Sequence, residues 1–140
     1  MERNRREILD MRFEKRILQN LIRMHNLKEL KIWQKAIDLA VDVYKATRYF
    51  PKEETYNLTA QTRRSAISIP SNIAESAGRN SVNEFVHFLG ISNGSSYELQ
   101  TQLIISNRLD LLKRGSLKSF ARINRRIAEN ELWFSEHYKK

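Results

Sequence analysis

The chain has 140 residues, 41% of them apolar, with four glycines, two prolines and no cysteine. This composition predicts one globular domain with a sizeable core and excludes a fibrous or disordered chain. The lack of cysteine excludes disulfides and thiolate metal sites. No apolar run approaches the ~20 residues that a membrane-spanning helix needs, and the basic N-terminus lacks the apolar segment of a secretory signal. We expect a cytoplasmic protein without a membrane partner.

The formal net charge is +9, and the excess of positive charge lies mainly at the two ends of the sequence. Residues 1–24 hold seven Arg and Lys against four Asp and Glu, and residues 116–140 hold six against three. Basic surfaces gain affinity for phosphate backbones by releasing counterions. The charge therefore favours a nucleic-acid partner, and the alternative is that it only maintains solubility.

Residues 1–23 are predicted to form an amphipathic basic helix that extends a second region, the bundle domain of residues 24–140. Apolar residues recur four apart on one face of this helix, and basic residues occupy the other. Three interpretations stay open: a docking helix, a basic arm that contacts RNA, or an upstream extension from a misassigned start with Met24 as the true first residue. The candidate nucleic-acid-binding residues of this segment are Arg5, Arg12 and Arg16.

Two helices are predicted next. Apolar residues recur at three- and four-residue steps from about residue 27–31 to residue 50, where Pro51 ends the helix. The following helix begins between residues 53 and 59 and ends at Gly78, since glycine accepts the left-handed conformation of many C-caps. Pro70 lies inside this helix and predicts a kink. Because its apolar face is built of small residues, we expect this helix to be the centre of a bundle.

The last two predicted helices cover residues 82 to about 113 and residues 117 to about 137. Ser81 and Glu84 form the capping-box pattern that begins the first of them, and Gly115 ends it. The connection to the preceding helix has only a few residues, which forces the two helices to be antiparallel.

Gly90 and Gly94 lower helix propensity in the middle of the long helix, by ~1 kcal/mol each. We nevertheless expect one continuous helix, because two glycines four residues apart admit a close neighbouring helix. The predicted fold class is therefore all-α: an up-down antiparallel four-helix bundle with an additional N-terminal helical extension.

Four sequence segments occur together and in order: L-K-E-L-K-I-W-Q-K-A-I-D-L-A at 27–40, F-P-K-E-E at 50–54, R-R-S-A-I-S-I-P-S-N-I-A-E-S-A-G-R at 63–79 and E-L-Q-T-Q-L at 98–103. With them the sequence resembles the bacterial four-helix bundle proteins encoded within 23S ribosomal RNA intervening sequences, often named S23 ribosomal proteins. That family includes Avd, the accessory variability determinant of diversity-generating retroelements. The resemblance covers roughly residues 24–112, and the glycines and serines of residues 90–96 depart from the alanine- and leucine-rich run expected there.

The resemblance implies an up-down bundle that assembles into a ring-like homopentamer, and it does not imply a catalytic activity. For the retroelement relatives it implies a basic surface that binds nucleic acid and a reverse transcriptase. We therefore expect a non-enzymatic oligomer that binds RNA or nucleoprotein, with no cofactor and no metal, and with a reverse transcriptase as partner if the gene belongs to a retroelement. The alternatives are a protein-only oligomeric scaffold and a metal-free RNase.

Two groups of charged residues are candidate sites. A cluster on the last helix suits phosphate, because arginine presents a planar fork of donors; it consists of Lys118, Arg122, Arg125 and Arg126. A second group around the central helix is assigned to a subunit interface or to structural roles, as helix-dipole or ion-pair partners; it consists of Arg63, Arg64, Pro70, Glu75 and Arg79. Trp33 and Trp133 are expected to be core residues rather than base-stacking ones.

An enzymatic function has little support in the sequence. The three histidines are isolated, and Glu84 and His87 give only one copy of the Glu-x-x-His pattern that a two-metal bundle site needs twice. Some all-helical RNases, the HEPN class, pair an arginine with a histidine after four to six intervening residues. Arg79 and His87 have seven between them, so this match fails.

Overall fold

The computed structural model describes residues 4–24 and 30–138, and all of their side chains except those of residues 14, 17–24, 133–135 and 137–138. These residues form five α-helices and no strand, which confirms the predicted all-α class. The helices are α1 (Arg5–Met24), α2 (Lys31–Thr47), α3 (Leu58–Ala77), α4 (Val82–Arg108) and α5 (Ser116–Tyr138), with a short 3₁₀ helix at Lys52–Glu54. None of them is long and apolar enough to cross a membrane.

Four helices form the bundle. Extensive packing joins α2 to α3, α3 to α4, α4 to α5 and α5 back to α2, and α3 with α4 is the largest of these contacts. This closed arrangement is the predicted four-helix bundle, with α3 and α4 at its centre. Helix α1 takes part in none of these extensive contacts, and its apolar Ile8, Leu9 and Phe13 are exposed.

The helix ends follow local chemistry. Helix α4 begins where the Ser81 hydroxyl accepts the backbone N–H of Glu84 at 3.2 Å, as the capping-box pattern predicts. It ends at Arg108, before the predicted residue 113, and Asp110 has a φ of 58°. Gly78 caps α3 with a φ of −85°, so the left-handed conformation predicted there is wrong. The left-handed glycine is Gly115, with a φ of 87°, immediately before α5.

Ser92 of α4 joins three helices in the middle of the bundle. Its hydroxyl lies 3.0 Å from the carbonyl oxygen of Ile69 on α3 and also contacts the Glu131 carboxyl group on α5. All three residues are buried. A side chain this small is required where two helices approach the same point of a third.

Two further serines of α4 make hydrogen bonds with the neighbouring helices α3 and α5. The hydroxyls of Ser95 and Ser68 are 2.8 Å apart between α4 and α3. The Ser96 carbonyl oxygen accepts a hydrogen bond from the Asn124 side-chain amide at 2.6 Å between α4 and α5. Helix α4 thus has polar small residues at its interfaces with both neighbours, and this packing holds it helical despite its low intrinsic propensity.

The prediction that Gly90 and Gly94 admit a close neighbour is wrong within this chain. Both glycines are exposed, and a Cβ atom built on either meets no atom within 4 Å. The serines on the opposite side of α4 make the close approach instead. Helix α3 continues through Pro70, which is buried.

The exposed glycines give a stability test. Gly94→Ala is expected to raise the free energy of unfolding by about 0.5–1 kcal/mol, because alanine loses less backbone entropy in a helix and nothing obstructs its methyl group. Urea denaturation followed by circular dichroism measures the change.

Gly115→Ala is the matched control in the same background. Nothing obstructs its Cβ atom either, but its φ of 87° places alanine in the left-handed region, so we expect a loss of about 1 kcal/mol. A lower stability of Gly94→Ala would contradict the exposed position of this glycine.

Candidate nucleic-acid interface

A groove of about 800 Å³ runs between α4 and α5. One wall carries Lys118, Arg122 and Arg125 of α5, which are four and three residues apart and therefore lie along one face of the helix. The other wall carries Tyr97 and Gln100 of α4. The structure thus brings three of the four basic residues predicted on this helix to one concave surface, which we call the basic groove.

The positive charges of the basic groove are largely unpaired. Among the described side chains, Lys118 and Arg122 make no ion pair, and both are exposed. Arg125 lies 3.9 Å from Glu129, a loose contact between two exposed groups that contributes little stability. Lys118 and Arg122 are therefore available to a ligand, and Arg125 is held only by this loose contact.

The opposite end of the groove is acidic. Glu129 and Glu136 line it there, so phosphate binding is favourable only near the beginning of α5. Arg126 is exposed but does not line the groove. The N-terminal candidates Arg5, Arg12 and Arg16 are exposed on α1 and are not among the groove residues.

Arg63 of the second group is engaged within the chain. Its Nε donates to the Thr47 hydroxyl at 2.9 Å, and its guanidinium lies 4.6 Å from the centre of the Tyr44 ring. These contacts fasten α3 to α2. Arg64 is exposed on the same helix.

Arg79 lies two residues beyond the end of α3 and pairs with Glu75 of that helix, and both side chains are part-exposed. The Arg79 guanidinium also lies 4.5 Å from the centre of the Phe88 ring, which links the end of α3 to α4. His87 contacts the same ring edge-on, with the ring centroids 5.3 Å apart. No three His, Asp or Glu side chains of the described residues are placed to hold a metal ion.

Both tryptophans were expected in the core, and the structure describes the side chain of one of them. Trp33 is half-buried and packs against the core, in agreement with the expected core role. The side chain of Trp133 lies outside the described residues. Among the described side chains, the aromatic residue that lines the basic groove is Tyr97, which sequence reasoning missed because its helical position gave no sign of which α4 face stays open.

A second groove is apolar and lies between α2 and α3. It has a volume of about 410 Å³, and Pro70 forms part of its lining. Val41 and Ile67 line it with 46% and 44% of their surface exposed. Exposed apolar side chains that gather in a groove are typical of surfaces that contact another protein.

Sequence reasoning also missed the buried Glu131. It is fully buried, and burial raises its pKa to about 8, although the hydrogen bond with Ser92 lowers it. The carboxyl group is therefore mostly protonated at pH 7. The Ser92 hydroxyl has one hydrogen and contacts both the Ile69 carbonyl and the Glu131 carboxyl group. When Glu131 is protonated, its O–H can donate to Ser92 while Ser92 donates to Ile69, and the hydrogen bonds then cross three helices.

Comparison with known proteins identifies the family. Residues 28–130 match the family model described as 23S rRNA-intervening sequence protein. The chain belongs to this family. The comparison with curated proteins found no match.

A solved structure has the same fold. It is the crystal structure of a protein of unknown function from the S23 ribosomal protein family of Bacteroides thetaiotaomicron. The two chains are 20% identical, with a TM-score of 0.70 over 81% of this chain and 98% of that one. At this identity the likeness establishes the bundle and not a shared activity. The family predicted from the sequence segments is confirmed.

The buried carboxyl group makes stability depend on pH. The folded-state pKa of about 8 exceeds the ordinary value of 4.5, so the folded state binds the proton more tightly than the unfolded state. Stability is therefore highest below about pH 4.5, as far as this group is concerned, and falls as the pH rises toward 8, by an amount on the order of 5 kcal/mol.

Glu131→Gln tests this dependence, because glutamine keeps the shape and stays neutral. We expect the variant to match the parent near pH 5 and to exceed it in thermal stability at pH 8. Glu129→Gln, which removes an exposed charge from the same helix, is the control. Parallel stability curves for Glu131→Gln and the parent between pH 5 and 8 would contradict a buried titrating group.

Proposed function

We propose that this protein is a non-enzymatic, oligomeric member of its family that binds RNA, alone or within a nucleoprotein, through the basic groove. The observation that carries the proposal is the placement of Lys118, Arg122 and Arg125 on one wall of this groove. Among the described side chains, neither Lys118 nor Arg122 makes an ion pair. The family is described by its relation to the 23S rRNA intervening sequence, and on that ground we propose RNA as the polyanion.

The spacing of the three cations suits a phosphate backbone. Lys118 and Arg125 are seven positions apart on the helix, which corresponds to a rise of about 10 Å along its axis. A nucleic-acid strand in a duplex advances about 3.4 Å per nucleotide, so the cationic wall spans about three nucleotides. The acidic end formed by Glu129 and Glu136 limits the contact to this length. A single groove therefore supplies only a weak, salt-sensitive site.

Oligomerisation of the chain would raise the low RNA affinity of a single groove. We propose a homopentamer, as the family resemblance implies, in which the apolar groove around Val41 and Ile67 contributes to contacts between copies. Repeated basic grooves bind one RNA strand more tightly than a single groove, because the later contacts become intramolecular. The proposed location is the cytoplasm, and a reverse transcriptase is a further partner if the gene lies in a retroelement.

The alternative function is a protein-only scaffold whose basic groove has no specific ligand. Both functions predict some binding to RNA at low salt, so only residue-specific effects distinguish them. The scaffold predicts equal losses wherever a positive charge is removed. The RNA-binding function predicts a loss confined to the groove.

Neutralising the groove is therefore expected to weaken RNA binding. The double variant Arg122→Gln/Arg125→Gln removes two phosphate contacts per bound subunit, which lowers the slope of log affinity against log salt by about 1.4 for a single strand. Fluorescence anisotropy with a labelled oligoribonucleotide across a salt series measures this slope.

Lys31→Gln/Lys35→Gln is the matched control, since it removes the same charge from exposed positions of α2. It is expected to keep the parent slope. Equal losses in both double variants would support the scaffold and remove the basic groove from the proposal.

The oligomer is tested by solution mass. Light scattering is expected to give the mass of a pentamer both for the full chain and for a variant that lacks residues 1–23, because α1 makes no extensive contact with the bundle. Val41→Lys/Ile67→Lys is expected to lower the mass by placing charge in the apolar groove. A monomeric full chain would contradict the multivalent mechanism.

A further inference from the structure

Tyr97 is an exposed aromatic residue within the basic groove. It lines the groove, and 56% of its surface is exposed. Tyr97 lies next to Ser96, whose carbonyl oxygen accepts from Asn124 at 2.6 Å. Because α4 and α5 are antiparallel and meet at this hydrogen bond, Tyr97 lies at the same level of the groove as Arg122 and Arg125.

The ring of Tyr97 differs from those of two other tyrosines. Arg63 lies over the Tyr44 ring at 4.6 Å, and Lys113 lies over the Tyr49 ring at 5.2 Å. Among the described side chains, no cation and no second ring stacks on Tyr97. An exposed aromatic side chain beside exposed cations is an arrangement by which proteins bind unpaired bases, with stacking for the base and cations for the phosphates.

We infer that the basic groove binds an unpaired nucleotide of single-stranded RNA, with the base stacked on Tyr97 and the adjacent phosphates on Lys118, Arg122 and Arg125. This inference rests on the proposed function and names the form of RNA that it selects. A duplex presents its phosphates but keeps its base faces stacked, so it gains the electrostatic contacts without the stacking contact. Single strands therefore bind more tightly than duplexes of equal length.

Asn124 in the groove lining offers a hydrogen-bond acceptor, its side-chain oxygen. It is only 3% exposed, and its side-chain oxygen has no hydrogen-bond partner among the described residues. The orientation of the amide is fixed, because the Ser96 carbonyl can only accept and therefore faces the nitrogen. An unpaired buried acceptor is costly, and an exocyclic amino group of a stacked base satisfies it once the covering side chains move apart.

The test compares Tyr97→Ala with Tyr97→Phe in the full chain. Tyr97→Ala is expected to weaken binding to a single-stranded oligoribonucleotide about tenfold, to leave duplex affinity unchanged and to keep the salt slope of the parent. Tyr97→Phe keeps the aromatic face and is expected to bind as the parent does. Tyr56→Ala is the matched control, because Tyr56 is 91% exposed and does not line the groove.

The outcomes separate this inference from the proposed function. Equal affinity of the parent for single strand and duplex, or no effect of Tyr97→Ala, would overturn the inference while a salt slope that depends on Arg122 and Arg125 still supports RNA binding. A salt slope unaffected by those arginines would overturn the proposed function itself. Oligo(C), whose base carries an exocyclic amino group, is expected to bind more tightly than oligo(U), and equal affinities would overturn the role of Asn124.

Discussion

The contact between Ser92, the Ile69 carbonyl and the Glu131 carboxyl group is the point on which the bundle depends. Three helices meet at one small hydroxyl, so the distances from α4 to α3 and to α5 are set together. Polar groups buried at such a point are favourable only when they are hydrogen-bonded. When Glu131 is protonated, its carboxyl O–H can donate to the Ser92 hydroxyl and the Ser92 hydroxyl to the Ile69 carbonyl. The centre of the bundle then carries no charge. A bulkier residue in place of Ser92 would separate helices that the rest of the core requires to be close.

Much of the fold followed from the sequence, because its signals are local. The 3.6-residue periodicity predicted the helices, Ser81 predicted the start of α4, and Pro51 predicted that α2 ends before it. Gly115 was wrongly predicted to end α4, which stops at Arg108; it directly precedes α5 instead. The glycines at 90 and 94 were misread because propensity and spacing do not tell which face of a helix is buried. The neighbouring serines carry that face, and only the packing of α3 and α5 shows it. Gly78 was misread for a related reason, since a glycine at a helix end permits a left-handed conformation without requiring one.

The candidate site was predictable in part. The basic cluster on α5 is visible in the sequence, and three of its four members line the basic groove. Arg126, one residue from Arg125, lies off the groove because a helix turns by about 100° per residue. Tyr97 and Asn124 depend on the pairing of α4 with α5, which no spacing within either segment reveals. Glu131 looked like an ordinary charged residue of a basic helix, and its burial follows only from its position opposite Ser92.

The order of the helices along the chain has a consequence for synthesis. A nascent chain completes α3 and α4 before α5 leaves the ribosome, since folding proceeds from the N-terminus during translation. Until then the hydroxyl of Ser92 and the carbonyl of Ser96 lack their partners on α5, and the glycine- and serine-rich middle of α4 has little tendency to stay helical alone. The emerging protein therefore holds an unfinished hairpin of α3 and α4 whose weakest part is its centre. Arrival of α5 completes the core and forms the basic groove in the same step, so the surface that we propose for RNA binding exists only when the fold is finished.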